Sequence, residues 1–156
     1  DARLPELSQL WWALRAEALG RAGQKAAAMR EIRAMRQARG RQPVSDGFKP
    51  MVQLAETMAL ARIAEGSGNR KSALRLLGKA AHIESTFDYN EPPLWHQPVD
   101  AAIGGVLLRA GDAKGAKAAF ARALVRRPGN AWALWGRAQA EAALGETQTS
   151  ATTLAA

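Results

Sequence analysis

The residues that could do chemistry in this chain are few and scattered. The sequence holds no cysteine, and its two histidines, His82 and His96, lie in no pattern typical of a catalytic nucleophile. Asp88 and Glu91 lie near these histidines in sequence, but the spacing matches no recognised metal site. No glycine-rich phosphate-binding pattern is present. These observations predict a protein that is not an enzyme and that needs no cofactor or metal.

Positive charge is the second chemical feature of the sequence. The chain has 22 Lys and Arg against 14 Asp and Glu, which gives a net charge of +8. Arg30, Arg33, Arg36 and Arg39 recur every three residues, and such a row could follow a phosphate backbone. A step of three drifts around a helix, so a solvated ridge is the favoured interpretation. Nucleic-acid binding therefore remains an alternative, while acidic groups of a protein partner fit the charge equally well.

Residues 97–128 hold two short helical patterns on either side of Gly111. On the second pattern Ala116, Phe120 and Ala123 share a face, where small residues let two helices approach and Phe120 fills the space between them. This order resembles the tetratricopeptide repeat (TPR), a helix–turn–helix unit of about 34 residues. The positions that agree with the repeat are Gly104, Leu107, Ala116, Phe120, Ala123 and Pro128, whereas Asp100 departs from it.

The same pattern recurs along the chain without a change of register. The glycines that divide the helices of each unit are Gly23, Gly68, Gly111 and Gly145. The predicted organisation is one TPR-like domain, 1–156, with repeats at about 5–40, 50–86, 97–128 and 131–156 and linkers at 39–49 and 87–97. The Thr-rich last segment predicts either an incomplete repeat or a weak capping helix. The resemblance implies an all-α fold, a TPR-like α-solenoid of about three and a half repeats that forms a right-handed superhelix.

In the TPR family the first helix of each pair lines a concave face, and ligand contacts cluster at fixed positions of that helix. The positions that the resemblance transfers to this chain are Met58, Arg62, Ala101, Gly105, Leu108, Arg109, Trp132, Trp135 and Gln139. Most are small or apolar, while Arg62 and Arg109 would supply charge for acidic groups. The resemblance thus implies a non-catalytic module that binds a peptide segment or a protein surface.

Trp132 and Trp135 lie three residues apart and therefore share one face of a predicted helix. Leu134 and Ala138 occupy the inward positions of that helix in the repeat register. The tryptophan pair either forms a shallow apolar contact site for a partner, caps the core, or packs on a continuation of the chain beyond this sequence.

The linker 87–97, FDYNEPPLWHQ, combines aromatic, acidic and rigid residues. It resembles a Tyr-x-Glu-Pro-Pro-x-Trp segment found in a group of bacterial TPR proteins. Its residues Tyr89, Glu91, Trp95 and His96 are a secondary site candidate, as a lip that contacts a ligand. The favoured interpretation is a structural brace in which Trp95 plugs a gap. An alternative function follows: a periplasmic or secreted accessory domain that binds a small ligand or metal through residues 89–96.

Composition agrees with these expectations. The chain is 47% hydrophobic and 23% charged, which is typical of a soluble globular protein, and no apolar run is long enough to predict a membrane span. The expected partner is another protein or peptide, with no membrane and with nucleic acid disfavoured. The compartment, periplasm or cytoplasm of a bacterium, is left open.

Overall fold

The computed structural model describes residues 4–88, 93–95 and 97–155, and in these ranges the chain is helical with no strand. The all-α prediction is confirmed. The described helices are α1 (Pro5–Arg21), α2 (Lys25–Arg41), a short 3-10 helix (Asp46–Phe48), α3 (Lys49–Gly66), α4 (Arg70–Ser85), α5 (Val99–Arg109), α6 (Ala113–Arg126), α7 (Ala131–Ala143) and α8 (Thr147–Leu154). None of these helices combines the length and the apolarity of a membrane span.

The contacts divide the chain into two compact units. Unit 1 is Asp1–Leu94 and contains α1 to α4, and unit 2 is Trp95–Ala156 and contains α5 to α8. Within unit 1 the main packing partners are α1 with α2, α1 with α3, and α3 with α4. Within unit 2 each helix packs on its neighbour in sequence, and α5 also contacts α7.

The four dividing glycines are the turns that the sequence predicts. Gly23, Gly68, Gly111 and Gly145 have φ angles between 73° and 80°, and no other described residue has a positive φ. Glycine adopts this conformation without the steric penalty that a Cβ atom would bring, so each glycine ends one helix and lets the next fold back.

Asparagine and aspartate begin three of the helices. Oδ1 of Asn69 accepts a hydrogen bond from the backbone N–H of Ser72 at 3.0 Å, and Asp112 does the same for Gly115 at 2.8 Å. Asn130 accepts from the N–H of Ala133 at 2.9 Å. Each cap satisfies a backbone donor that lacks a partner in the first helical turn.

The second helices of the first three pairs bury the faces that the sequence predicts. One buried cluster in unit 1 contains Ile32 and Ile63 among alanines, and one in unit 2 contains Phe120 among alanines. The buried residues of these three inner faces are Ala28, Ile32, Met35, Ala73, Leu77, Ala80, Ala116, Phe120 and Ala123. Asp100, which departs from the repeat pattern, forms an ion pair with Arg122 of α6 at 2.9 Å.

Helix α1 presents its faces differently from what its leucines suggest. Leu7, Trp11 and Leu14 are exposed, whereas Gln9, Ala13, Ala16 and Gly20 are buried. The reason is the close approach of α1 and α3. A Cβ atom at Gly66 would lie 2.0 Å from the carbonyl oxygen of Gly20, so only small residues fit where these two helices meet.

Candidate functional site

The most exposed large aromatic side chains of the described part lie on α7. Trp132 is 71% exposed and Trp135 is 54% exposed, and Gln139, on the same face of the helix, is exposed as well. Residues at i, i+3 and i+7 share one side of a helix, so these three side chains form a continuous strip, here called the α7 stripe. Sequence analysis left open whether the tryptophans cap the core, and their exposure excludes that role within the folded chain.

The opposite face of α7 explains why the tryptophans lie outside. Ala133, Gly136 and Ala140 are buried there, and the ring of Phe120 lies against Gly136. A Cβ atom at Gly136 would lie 2.3 Å from Cζ of Phe120. The inner face of α7 therefore has no room for a large side chain, and a tryptophan on this helix can only point away from the core.

A buried carboxylate fixes α7 to α8. Glu141 is fully buried, and its Oε1 accepts from Nε of Arg137 at 2.8 Å while its Oε2 accepts from Oγ1 of Thr153 at 2.8 Å. Burial raises the pKa of Glu141, but the hydrogen bonds from Thr153 and Arg137 outweigh burial and hold the pKa below its ordinary value. Through these bonds the Thr-rich α8, poor in intrinsic helix propensity, gains a fixed position.

Helix α5 carries the other candidates of unit 2. Ala101 is buried, Gly105 and Leu108 are half-buried, and Arg109 is exposed. A Cβ atom at Gly105 would lie 3.3 Å from Nη1 of Arg109, so the guanidinium of Arg109 folds back along its own helix over this glycine. The glycine thus makes room for a cation at the surface of α5.

The candidates of unit 1 do not form an open surface. Met58 is buried, and the side chain of Arg62 is only 6% exposed. Nη1 of Arg62 lies 3.0 Å from Oε2 of Glu65, and its Nε lies 3.6 Å from Oε1 of Glu17 on α1. The charge of Arg62 is therefore compensated inside unit 1. A partner that docks on the folded chain would not reach Met58, Arg62 or Ala101, which corrects the expectation that Arg62 supplies charge to a ligand.

Of the loop candidates, only Trp95 lies in the described part of the chain. Its side chain is buried, and its carbonyl oxygen accepts a hydrogen bond from Nη2 of Arg127. Tyr89, Glu91 and His96 lie outside the described residues. The role of this segment as a brace or as a ligand lip therefore stays a prediction, although the burial of Trp95 agrees with the brace. Within the described ranges no group of three or more acidic residues and histidines could hold a metal ion.

Sequence reasoning missed a second arrangement, which lies in unit 1. Glu56 of α3 joins Arg36 and Arg39 of α2: its Oε1 lies 2.6 Å from Nε of Arg36, and its Oε2 lies 2.8 Å from Nη1 of Arg39. The row of arginines in α2 was the available signal. What the sequence did not indicate is that the last two arginines converge on one carboxylate.

Comparisons of this chain with protein-family models, with curated proteins and with solved structures give no match. The geometry of the described residues is therefore what supports a function.

Proposed function

We propose that this chain is a non-catalytic protein–protein interaction module that binds a peptide segment or a protein surface through the α7 stripe of Trp132, Trp135 and Gln139. The observation that carries the proposal is the exposure of two tryptophans, three residues apart, on a helix whose inner face cannot accept them. Tryptophan offers large apolar area with only two side-chain torsions to fix, which is why it dominates binding energy at interfaces.

A TPR-like arrangement of four helix pairs is part of the same proposal. In each pair a glycine with positive φ separates the first helix from the second. The small–large–small order of α2, α4 and α6 agrees with the repeat pattern. In that register the α7 stripe falls on positions that contact ligands in the family. Arg109 of α5 lies in the same unit and is exposed, and it is the candidate cation for acidic groups of the partner.

Helix α1 also exposes apolar side chains, but its exposed tryptophan, Trp11, is engaged within the chain. The guanidinium carbon of Arg15 lies 4.5 Å from the ring centroid of Trp11, and the ring of Trp12 meets that of Trp11 edge to face at 6.0 Å between centroids. A cation over one face and an aromatic contact already use part of this ring. The α7 stripe is therefore the better candidate, and α1 supplies the matched control.

The experiment is a selection of peptides from a phage-displayed random library on the immobilised chain. Enriched peptides are then titrated calorimetrically against the parent and two double variants. Trp132→Ala/Trp135→Ala should weaken binding about 30-fold or more, equivalent to about 2 kcal/mol. Trp11→Ala/Leu14→Ala removes a similarly exposed pair at the same spacing and should leave affinity unchanged. No enrichment, or equal binding by the parent and the α7 variant, would refute the proposal.

A further inference from the structure

Unit 1 contains a depression with a volume of about 470 Å³, lined by residues of α2, α3, α4 and the connection between α2 and α3. Its walls come from the end of α2, the connection to α3, the part of α3 from Lys49 to Leu60 and the middle of α4. Sites for small ligands and for peptide side chains typically have volumes of about 300–1,000 Å³. We call this depression the basic cleft.

The charged side chains of the basic cleft are mostly cationic. Arg36, Arg39, Lys49 and Lys79 line it, and Glu56 is the one acidic residue among its lining residues. Lys49 also pairs with Asp46, a highly exposed residue, at 2.5 Å. Even when Asp46 is counted, cations exceed carboxylates by two. A concave surface with one sign of charge concentrates ligands of the opposite sign.

Glu56 orients the two arginines but does not neutralise the positive charge of the cleft. Its carboxylate is nearly buried, while the side chains of Arg36 and Arg39 remain half and one third exposed. Each guanidinium has five N–H groups in a rigid fork and donates one of them to Glu56. The forks are thus oriented before a ligand arrives, with further N–H groups available for a planar carboxylate.

The apolar part of the walls limits the kind of anion. Val44 is buried and Leu60 and Leu76 are half-buried, and all three line the cleft beside the cations. A nucleic-acid backbone is contacted mainly through phosphates and gains little from aliphatic walls. An acidic peptide can offer carboxylates to the arginines and an aliphatic side chain to the leucines.

We infer that the basic cleft binds an acidic peptide segment of another protein, in which carboxylates flank an aliphatic side chain. This site lies wholly in unit 1 and does not depend on the α7 stripe. The charge complementarity and the oriented arginines carry the inference, and the aliphatic walls specify the residue between the acids.

The test uses a fluorescein-labelled peptide of repeated Glu-Glu-Leu units, followed by anisotropy at physiological salt. Lys49→Glu/Lys79→Glu should weaken binding about tenfold or more, because two cations of the cleft are reversed. Lys25→Glu/Lys71→Glu makes the same change of net charge at exposed lysines outside the cleft and should change affinity less than about twofold. If the reversal disturbs folding, Lys49→Gln/Lys79→Gln gives the same comparison.

Three results would overturn the inference: no binding of the acidic peptide, equal weakening by both lysine pairs, or tighter cleft-dependent binding of a single-stranded oligonucleotide. A peptide with Ser in place of Leu should bind several-fold more weakly, and equal binding would remove the role of the aliphatic walls. Trp132→Ala/Trp135→Ala should bind this peptide as the parent does, so failure here and failure of the α7 stripe are distinguishable.

Discussion

The two units fill equivalent positions with side chains of different size. Ile32 in unit 1 and Phe120 in unit 2 lie at the same sequence distance after the dividing glycines Gly23 and Gly111, and so share a place in the predicted repeat register. Ile32 belongs to a cluster with Ala16 and Ala59, whereas the ring of Phe120 lies against Gly104 and Gly136. The larger side chain thus meets the smaller neighbours. A larger side chain beside smaller neighbours is the kind of exchange that keeps a core filled.

The glycines of the two units also do different work. In unit 1 Gly20 and Gly66 bring the backbones of α1 and α3 into contact, while in unit 2 Gly104 and Gly136 make room for an aromatic ring. In both cases one helix turns small residues inward and large apolar residues outward. The exposed tryptophans of α7 are therefore not misplaced core residues, since the core beside them is already full.

Removal of the Phe120 ring from unit 2 should have the largest effect on stability. Phe120→Ala leaves a cavity between α5, α6 and α7 and should lower the free energy of unfolding by about 3–5 kcal/mol. Val125→Ala on the same helix is the control, because Val125 is exposed, and it should change stability by less than about 0.5 kcal/mol. Chemical denaturation measures both. A loss below about 1 kcal/mol for Phe120→Ala would mean that the ring does not fill the core.

A second substitution tests the contact between the backbones of α1 and α3 in unit 1. Gly66→Ala would place a methyl group 2.0 Å from the carbonyl oxygen of Gly20 and should cost about 3 kcal/mol, the upper end for overpacking. Gly78→Ala in α4 is the control, because no atom lies within 4 Å of its added Cβ. That change should stabilise the chain by about 0.5–1 kcal/mol, since alanine favours helix. Thermal unfolding measures both variants, and a change in stability of the same sign in both would show that the close approach at Gly66 is not what limits its side chain.

Exchanging the side chains sharpens the comparison of sizes. Ile32→Phe should cost about 2 kcal/mol, because Ala16 and Ala59 leave less room than glycines do. Adding Ala59→Gly should restore part of that loss in the double variant. Denaturation of the single and double variants completes the comparison, and a second substitution that only adds to the damage would show that volume at this position is not shared between the helices.

Substitution of Glu141, the buried carboxylate on α7 of unit 2, should have a smaller effect on stability. Glu141→Gln should lower stability by about 1–2 kcal/mol at neutral pH, because it weakens the bonds from Arg137 and Thr153. The folded pKa of Glu141 lies below the ordinary 4.5, so its contribution is present above pH 4.5 and is lost as the pH falls through the folded pKa. The stability difference between parent and variant should shrink over that range, and a constant difference would exclude the carboxylate as its cause.

Sequence patterns predicted those parts of the fold that depend on local chemistry. Glycine adopts a left-handed conformation at little steric cost, so a glycine at the end of a helical pattern predicts a turn, as at Gly23 and its three counterparts. The spacing of Ala116, Phe120 and Ala123 likewise predicted a buried face. The burial of Arg62 could not be predicted from the sequence, because it depends on the contact of its side chain with Glu17 of a neighbouring helix. The exposure of the α1 leucines could not be predicted either, since the contact of Gly20 with Gly66 decides which face of α1 is buried.

The candidate site was predictable in part. The spacing of Trp132 and Trp135 placed them on one face, but whether that face is open depends on Gly136 and Phe120, which fill the other side. The basic cleft could not be predicted without the fold, since Lys79 lies far from Arg36 and Arg39 in sequence and lines the same depression only in the folded unit 1.

Fluorine NMR of the chain labelled with 5-fluorotryptophan distinguishes binding of a partner at the proposed α7 stripe from binding elsewhere. The chain has five tryptophans, so five resonances can be assigned by single substitutions. On titration with a peptide enriched in the phage selection, the signals of Trp132 and Trp135 should shift while those of Trp11, Trp12 and Trp95 stay in place. Shifts confined to Trp11, Trp12 or Trp95 would contradict the account.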